Sequence, residues 1–422
     1  MNARVPRDAP LAAVIAEAAA QVEAQVIAWR RDFHEHPELG NREVRTAGLI
    51  AEHLKRLGFD DVRTGVAHTG IVALLKGARP GPVVALRADM DALPVTEQVD
   101  VPFASKQRAK WNGEDVGVMH ACGHDCHVAI LMGVAQILAG LREKLPGTVK
   151  FIFQPAEEMP PIGEDGGARM MIAEGALANP VPQAIFGLHV TSRLNAGTIG
   201  YRPGPAMASS DRFSITVQGK QTHGAQPWLG VDPIVASAQI VLGLQTVVAR
   251  TIDITRDPAV VTVGMIRGGV RENIIPDQVE MRGTIRSFDD GMRGDIHERV
   301  KNLAEFVARG SRAQCQVCVD KGYDVTYNDP KLTEAIVPSL QRAAGEANVQ
   351  LVDKVMGAED FSFFQNVVPG VFYFVGVTPK DADPAHAYSN HSPKFYVEES
   401  ALKLGVQSLA QVACDWLESQ AG

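Results

Sequence analysis

Four short apolar runs along the chain are each bound up with ionisable residues. Residues 83–86 run into Asp89 and Asp91, and residues 149–153 run into Glu157 and Glu158. The run AIFGLHV carries His189, and residues 370–377, GVFYFVGV, lead on to NHSP with His391. Runs of this length, set between helical stretches, predict the strands of a parallel α/β sheet. Ligands of open α/β sheets sit outside the carboxyl ends of the strands. The repeated placement of ionisable residues just past those ends therefore predicts one shared site.

Residues 11–33 and 42–57 read as helices around the turn HPELG, with Pro37 and Gly40 supplying the break. His34 and His36 flank that turn, where a structural role is the simpler reading. Farther on, apolar residues fall at Val128, Leu131, Val134, Leu138 and Leu141, the spacing of a helix face. The preceding stretch HACGHDCH, residues 120–127, is then a loop running into a helix start.

The middle of the chain has another rhythm. DRFSITV alternates Phe213, Ile215 and Val217 inward, like a half-exposed strand. A helix is predicted near 232–250, strands near 259–266 and 277–286, a helix near 291–309 and a strand near 313–320. That order, βαββαβ, is ferredoxin-like. The domain plan is a catalytic-type domain over 1–206, an inserted satellite over 207–322, and a return over 323–422 that closes with helices around 331–346 and 398–418.

A chain of 422 residues favours two to three domains. It can bury roughly three-quarters of its unfolded surface, so it needs no metal or disulfide merely to fold. A net charge of −8 with no Lys/Arg run argues against a nucleic-acid or membrane-surface partner. No stretch approaches ~18 uninterrupted apolar residues. The start of the chain lacks a signal-peptide plan, its Ala-rich stretch being broken by Glu17, which points to the cytoplasm. A periplasmic or secreted location stays open for a chain whose signal has been removed. Five Cys do not make a disulfide framework. Cys315 and Cys318 lie in an alternating stretch, so they point to opposite strand faces.

HACGHDCH holds three His, two Cys and an Asp. Thiolate and imidazole suit zinc and related metals. A turn could aim Cys122 and His124 at one point; His120 and His124, four apart, could instead share a helix face. A closed structural site would need a second Cys/His pair nearby, and the sequence supplies none. Glu157 and Glu158 follow a strand-like run and the sequence Gln-Pro-Ala. Adjacent carboxylates diverge at a strand end, so one can bind metal while the other serves as a general base, worth ~10²–10⁴ in rate. The plainer reading of the pair is a solvated helix start, where acids favour the dipole.

MHACGHDCH, RADMDALP, QPAEE, FGLHV and NHSPKF resemble motifs of the M20 metallopeptidase superfamily. The resemblance continues through WRRDFHEHPELG, GKQTHGAQP, GGVRENIIPD, GTIRSFD and MGAEDFSFF, in the family's order from about residue 29 to 400. It is strongest to the amidohydrolase branch: hippurate hydrolases, N-acyl-amino-acid amidohydrolases and auxin-conjugate hydrolases. It implies a zinc-peptidase-like α/β catalytic domain interrupted by a ferredoxin-like α+β satellite, and a site for two divalent metal ions, with Zn²⁺, Mn²⁺, Co²⁺ and Ni²⁺ all open.

Carried over motif by motif, the resemblance makes Cys122, His124, Glu158, His189 and His391 metal ligands and Glu157 the general base. Asp89 matches an acid that elsewhere orients a metal-binding His. Much of the superfamily has a His two residues before that acid; here Arg87 stands there, and His124 is expected to supply the imidazole. His223 resembles a residue that reaches over the metals to polarise the amide carbonyl, and Asn273 another substrate contact. Arg286 could pair with a substrate carboxylate or form an inter-strand ion pair. Glu359 and Asp360 match a motif near the substrate end. The implied reaction cleaves an N-acyl-amino acid to a carboxylic acid and a free amino acid. The alternatives are a dipeptidase or carboxypeptidase of the same superfamily, and a metal-stabilised binding protein without turnover. The resemblance also implies a homodimer through the satellite.

Overall fold

The computed structural model describes residues 11–421. The residues before Leu11, on which the reading of the chain's start partly rests, lie outside the described residues. The chain divides into two units. The first takes the described residues up to Gly204, then Asn328–Asp353, then those from Phe363 onward. The second takes Pro205–Tyr327 and Lys354–Ser362.

The first unit is built on an eight-stranded sheet. Its order, by first residue, is Asp61, Gly70, Pro146, Arg79, Ala184, Gly370, Ile199, Val349. The four central strands, Pro146–Gln154, Arg79–Asp89, Ala184–Asn195 and Gly370–Thr378, run parallel. They are buried on both faces over much of their length, as parallel strands are. The sheet as a whole is mixed, where the apolar runs alone predict a parallel one. Asp61–Val66 and Gly70–Lys76 are joined by three residues, and so short a connection permits only antiparallel pairing.

The helices Leu11–Glu35, His124–Gly140 and Ala401–Gln420 pack on one another, and the last two also pack on Arg79–Asp89. His124–Gly140 begins four residues before the apolar spacing starts at Val128 and is buried on nearly every side. An amphipathic pattern therefore understates it. By length and hydropathy alone, Leu11–Glu35 and Pro233–Thr251 reach the range of a membrane span. Each lays one helical stripe into its unit's core, Val14, Ala19, Val22 and Val26 in the first and Ala236, Ile240, Leu244 and Val247 in the second.

The second unit carries a four-stranded antiparallel sheet ordered Val260–Gly268, Gln278–Arg286, Ser210–Gln218, Gln314–Tyr323. With the helices Pro233–Thr251 and Asp290–Gly310 this is a βαββαβ unit. Asp232 and Asp289 cap the two helices, accepting backbone N–H groups of Ile234 and Met292. Phe213, Ile215 and Val217 face the core. Cys315 packs toward that core while Cys318 is exposed. The short return Lys354–Ser362 belongs here because the Ala208 N–H is shared between the carbonyls of Val355 and Gly357. A scheme with one uninterrupted insertion does not contain it.

Candidate metal centre

Gly123 makes the turn before the helix His124–Gly140, with φ +93. A Cβ there would stand 2.4 Å from Val190 Cγ2, so the turn needs glycine on two counts. Beyond it, His124 Nδ1 lies 2.8 Å from the Asp91 carbonyl oxygen and so carries the proton. That leaves His124 Nε2 as a buried nitrogen with no hydrogen-bond partner among the described residues. His189 repeats the arrangement: Nδ1 is 2.7 Å from the Val190 carbonyl, and Nε2 is 3.4 Å from Cys122 Sγ. An imidazole that donates one N–H to a backbone carbonyl and aims its other nitrogen at a common point is built as a metal ligand is.

On the other side of the sulfur, His391 Nε2 lies 3.2 Å from Cys122 Sγ and 2.7 Å from Glu158 Oε1. His391 takes φ +71, a left-handed conformation held in place by its neighbours. Its N–H donates to the Ala121 carbonyl at 2.7 Å, and the Asn390 amide donates to the carbonyls of Cys122 and Val190. Two triads result, Cys122–His124–His189 and Cys122–Glu158–His391. In each the donor atoms lie within 4.8 Å of one another, and Cys122 belongs to both.

The Glu pair sits on a tight turn after Pro146–Gln154, with Ala156 at φ +50 and Met159 at φ +102. Both Glu157 and Glu158 donate their backbone N–H to the Asp91 carboxylate, each at 3.0 Å. Glu43 holds the turn from behind, accepting the Ala156 N–H at 2.9 Å and the Thr69 hydroxyl at 2.6 Å. Burial, reinforced by the charge of Asp91, pushes Glu43 up to about 8. Glu157 is buried with Oε2 3.9 Å from His124 Nε2, and it belongs to neither triad that contains Cys122.

The electrostatics of these donors call for a cation. Burial pushes the Cys122 thiol well up, and the carboxylates of Glu158 and Glu157 add to it. Burial works against a charged His124, but Asp89 and Asp91 outweigh it and hold the ring up at about 10. Burial and the neighbouring His127 push His189 well down. A divalent ion reverses the first effect, since a coordinating thiol is deprotonated outright. It also takes the place of the extra proton on His124 and accepts the neutral His189. Together with the orphaned His124 Nε2, this donor set fits metal. One thiol, three imidazoles and a carboxylate suit Zn²⁺, Mn²⁺, Co²⁺ or Ni²⁺.

Asp89 is fully buried, but its hydrogen bonds go elsewhere, to His127 Nδ1 at 2.6 Å and Arg87 Nη1 at 2.6 Å. His127 Nε2 accepts the Val190 N–H, so both its nitrogens are engaged and it is not left as a ligand. Through His127, Asp89 braces the strand that carries His189. His120 is buried outside both triads.

In the second unit, Thr222–His223 pairs with Ile274–Ile275. The Gly224 N–H donates to the Asn273 carbonyl at 2.8 Å, which sets His223 and Asn273 side by side. His223 is exposed, and its Nδ1 accepts the Ala225 N–H. Arg286 ends the strand Gln278–Arg286 and donates to the Ile285 carbonyl. Glu359 and Asp360 are buried in the same unit, Glu359 accepting the Phe361 N–H. Pattern reading places Asp91 past a strand end but gives it no role, and it passes over Glu43. The only trace of Asp91's role is its place as the second acid of RADMD.

Strand-end carboxylates and imidazoles around a shared thiol, on a sheet of this topology, define the class of metallohydrolases. Residues 85–415 match peptidase family M20/M25/M40, and the chain belongs to that family. It is similar to thermostable carboxypeptidase 2 of Saccharolobus solfataricus, 40% identical over 395 residues, covering 93% of this chain and 95% of the relative. It is also similar to N-acetylcysteine deacetylase of Bacillus subtilis, 40% identical over 397 residues, covering 94% and 97%. Among solved structures it resembles the Bacillus subtilis YXEP protein, a dinuclear metal binding peptidase from the M20 family. There the TM-score is 0.77 at 37% identity, covering 94% of this chain and 99% of that one.

Proposed function

We propose that the protein is a metal-dependent amidohydrolase that cleaves N-acyl-amino acids to a carboxylic acid and a free amino acid. Cys122, His124, His189, Glu158 and His391 would hold two divalent ions, and Glu157 would be the general base. The observation that carries this reading is the doubled triad on Cys122 with the buried Glu157 carboxylate, outside both of those triads, 3.9 Å from His124 Nε2. When bound, such ions lower the pKa of water to about 7 and polarise a carbonyl.

The chain's own residues do the rest. Glu157 takes a proton from the attacking water as its oxygen joins the amide carbon. As the C–N bond breaks, Glu157 returns that proton to the leaving nitrogen. Asp91 holds the Glu157 backbone so that the carboxylate stays in reach of both positions. His223 supports the developing oxyanion, Asn273 beside it contacts substrate, and Arg286 pairs with the substrate carboxylate. Asp89 braces the His189 strand through His127.

The similarity to N-acetylcysteine deacetylase supports removal of an acyl group from an amino acid. An equal identity to a carboxypeptidase favours a second reading, cleavage of a terminal peptide bond. A metal-stabilised binding protein has no use for a base at Glu157. The test is free-amine release from N-acetyl and N-benzoyl amino acids and from dipeptides, with Mn²⁺, Co²⁺ or Zn²⁺ added. Turnover of the acyl substrates that EDTA abolishes is the expected result. Turnover of dipeptides alone would replace it with the peptidase reading, and silence on all of them would leave a narrow specialist substrate or the binding protein. A homodimer through the second unit belongs to the same proposal, with Val260–Gly268 as an edge strand of its sheet; light scattering tests it.

A further inference from the structure

His34 stands in the last turn of Leu11–Glu35, buried and in neither metal triad. Its Nδ1 is 2.8 Å from Asp125 Oδ2 and its Nε2 is 2.8 Å from Glu97 Oε1. A carboxylate has only acceptors to offer, so the two contacts at 2.8 Å suit an imidazolium that donates from both nitrogens; the guanidinium of Arg30 stands farther from Nδ1, at 3.4 Å. Asp125 is the residue after His124, in the first turn of the helix that begins there. Its Oδ2 also accepts Arg30 Nε at 2.8 Å. Glu97 accepts the Ser105 N–H, and the next residue, Gln98, donates its N–H to the Pro393 carbonyl at 2.8 Å. Pro393 is two residues from His391. Arg30 Nη1 closes the circuit on Glu399 at 3.3 Å.

We infer that His34 is a positioning residue for the metal centre. It clamps Asp125 and Glu97 so that the segment bearing Cys122 and His124 and the segment bearing His391 keep one spacing. This rests on the metal-centre reading above. The two triads share Cys122 but draw their other ligands from separate segments, so a small shift between those segments spoils one triad without unfolding either. A buried ion cluster is an uncertain source of net stability, because desolvation offsets much of the attraction. What it supplies well is a fixed geometry, since each charge loses its compensation if a partner moves.

The test compares full-length wild type with His34→Gln and Glu97→Gln, each loaded with Zn²⁺. Metal stoichiometry, the rate of metal transfer to a chelator, and melting of the metal-free protein are measured together. His34→Gln keeps a single donor arm and no charge. It should release metal about 10-fold faster, the lower end of what outer-shell changes cost. Glu97→Gln keeps only one of the two acceptor oxygens that His34 and Ser105 use, so it weakens the Glu97 arm of the clamp while the Asp125 arm stays in place, and it should show a smaller change in the same direction. If His34→Gln does not fold, Glu97→Gln decides. Unchanged metal release, with only the melting temperature lowered, would overturn the inference and leave His34 a structural residue. Wild type that takes up no metal would overturn the site reading itself and this inference with it.

Discussion

The Asp91 carboxylate accepts the backbone N–H of Glu157 at 3.0 Å. Its second oxygen accepts the Glu158 N–H, and its own carbonyl accepts from His124. One residue thus sets the backbone of the proposed base and the orientation of two proposed ligands. Asp91→Asn replaces one acceptor oxygen by an NH₂ group facing a buried N–H. Leaving a buried donor unsatisfied costs about 1–3 kcal/mol. Turnover should fall further than stability, because displacement of reacting groups by about 1 Å can cost 10²-fold. Steady-state kinetics beside thermal melting would check this; a loss of stability with turnover intact would show that Asp91 only supports the turn.

Glu157 is close enough to the triads to serve them and belongs to neither one that contains Cys122. Glu157→Gln preserves shape and size but removes the base. Turnover should fall by about 10²–10⁴ while bound metal and melting temperature stay near wild type. Near-normal turnover in this variant would remove Glu157 from the mechanism.

Much of this arrangement was legible in the sequence, and for identifiable reasons. Short apolar runs mark the strands at residues 83–86, 149–153 and 370–377, and the ionisable residues past them converge because parallel strands end on one side. The alternation of Phe213, Ile215 and Val217 marked the second unit's sheet equally well. Local spacing did not choose between Cys122–His124 and His120–His124. That choice is made by the left-handed turn at Gly123 and by Val190 behind it, which lies far away in sequence. Nor does a pair of adjacent acids say which one coordinates. In the structure it is Glu158 that lies 2.7 Å from His391, a residue more than 200 positions later. Asp91 and Glu43 act by accepting backbone N–H groups of the turn that carries Glu157 and Glu158, and such contacts leave no period to read. Asp89 matches an acid that elsewhere orients a metal-binding His; here it bonds His127 at 2.6 Å and stands 3.9 Å from His124 Nε2, a difference that no spacing along the chain reveals.

Cys122 is shared by both triads, whereas His391 belongs to one. The two residues should therefore differ in metal stoichiometry when removed. Cys122→Ala should lower occupancy at both positions, and His391→Ala should lower it at one. Elemental analysis of protein passed through a desalting column would separate the cases. Equal losses would mean that the thiol does not bridge, and full occupancy in Cys122→Ala would take the sulfur out of the ligand set.

His34 also makes a prediction about pH in the metal-free protein. Burial and the nearby Arg30 oppose its charged form, but the Asp125 charge and the hydrogen bonds to Asp125 and Glu97 outweigh them and raise its pKa. A group with a raised folded pKa contributes stability that is fully present below its unfolded value, about 6.5 for His, and lost as pH rises through the folded value. The melting temperature of the metal-free wild type should therefore decline as pH is raised above neutrality. Part of that decline should be absent from His34→Gln, which has no proton to lose at this position. Other groups that titrate in the same range, His124 among them, are common to both proteins, so the difference between the two melting curves isolates His34. Its sign follows from the linkage alone: the gap between wild type and variant should be widest at low pH and close as pH rises. A gap that stays constant across the range would mean that His34 does not carry its proton in the folded protein, and that Asp125 and Glu97 are held by Arg30 and backbone donors instead.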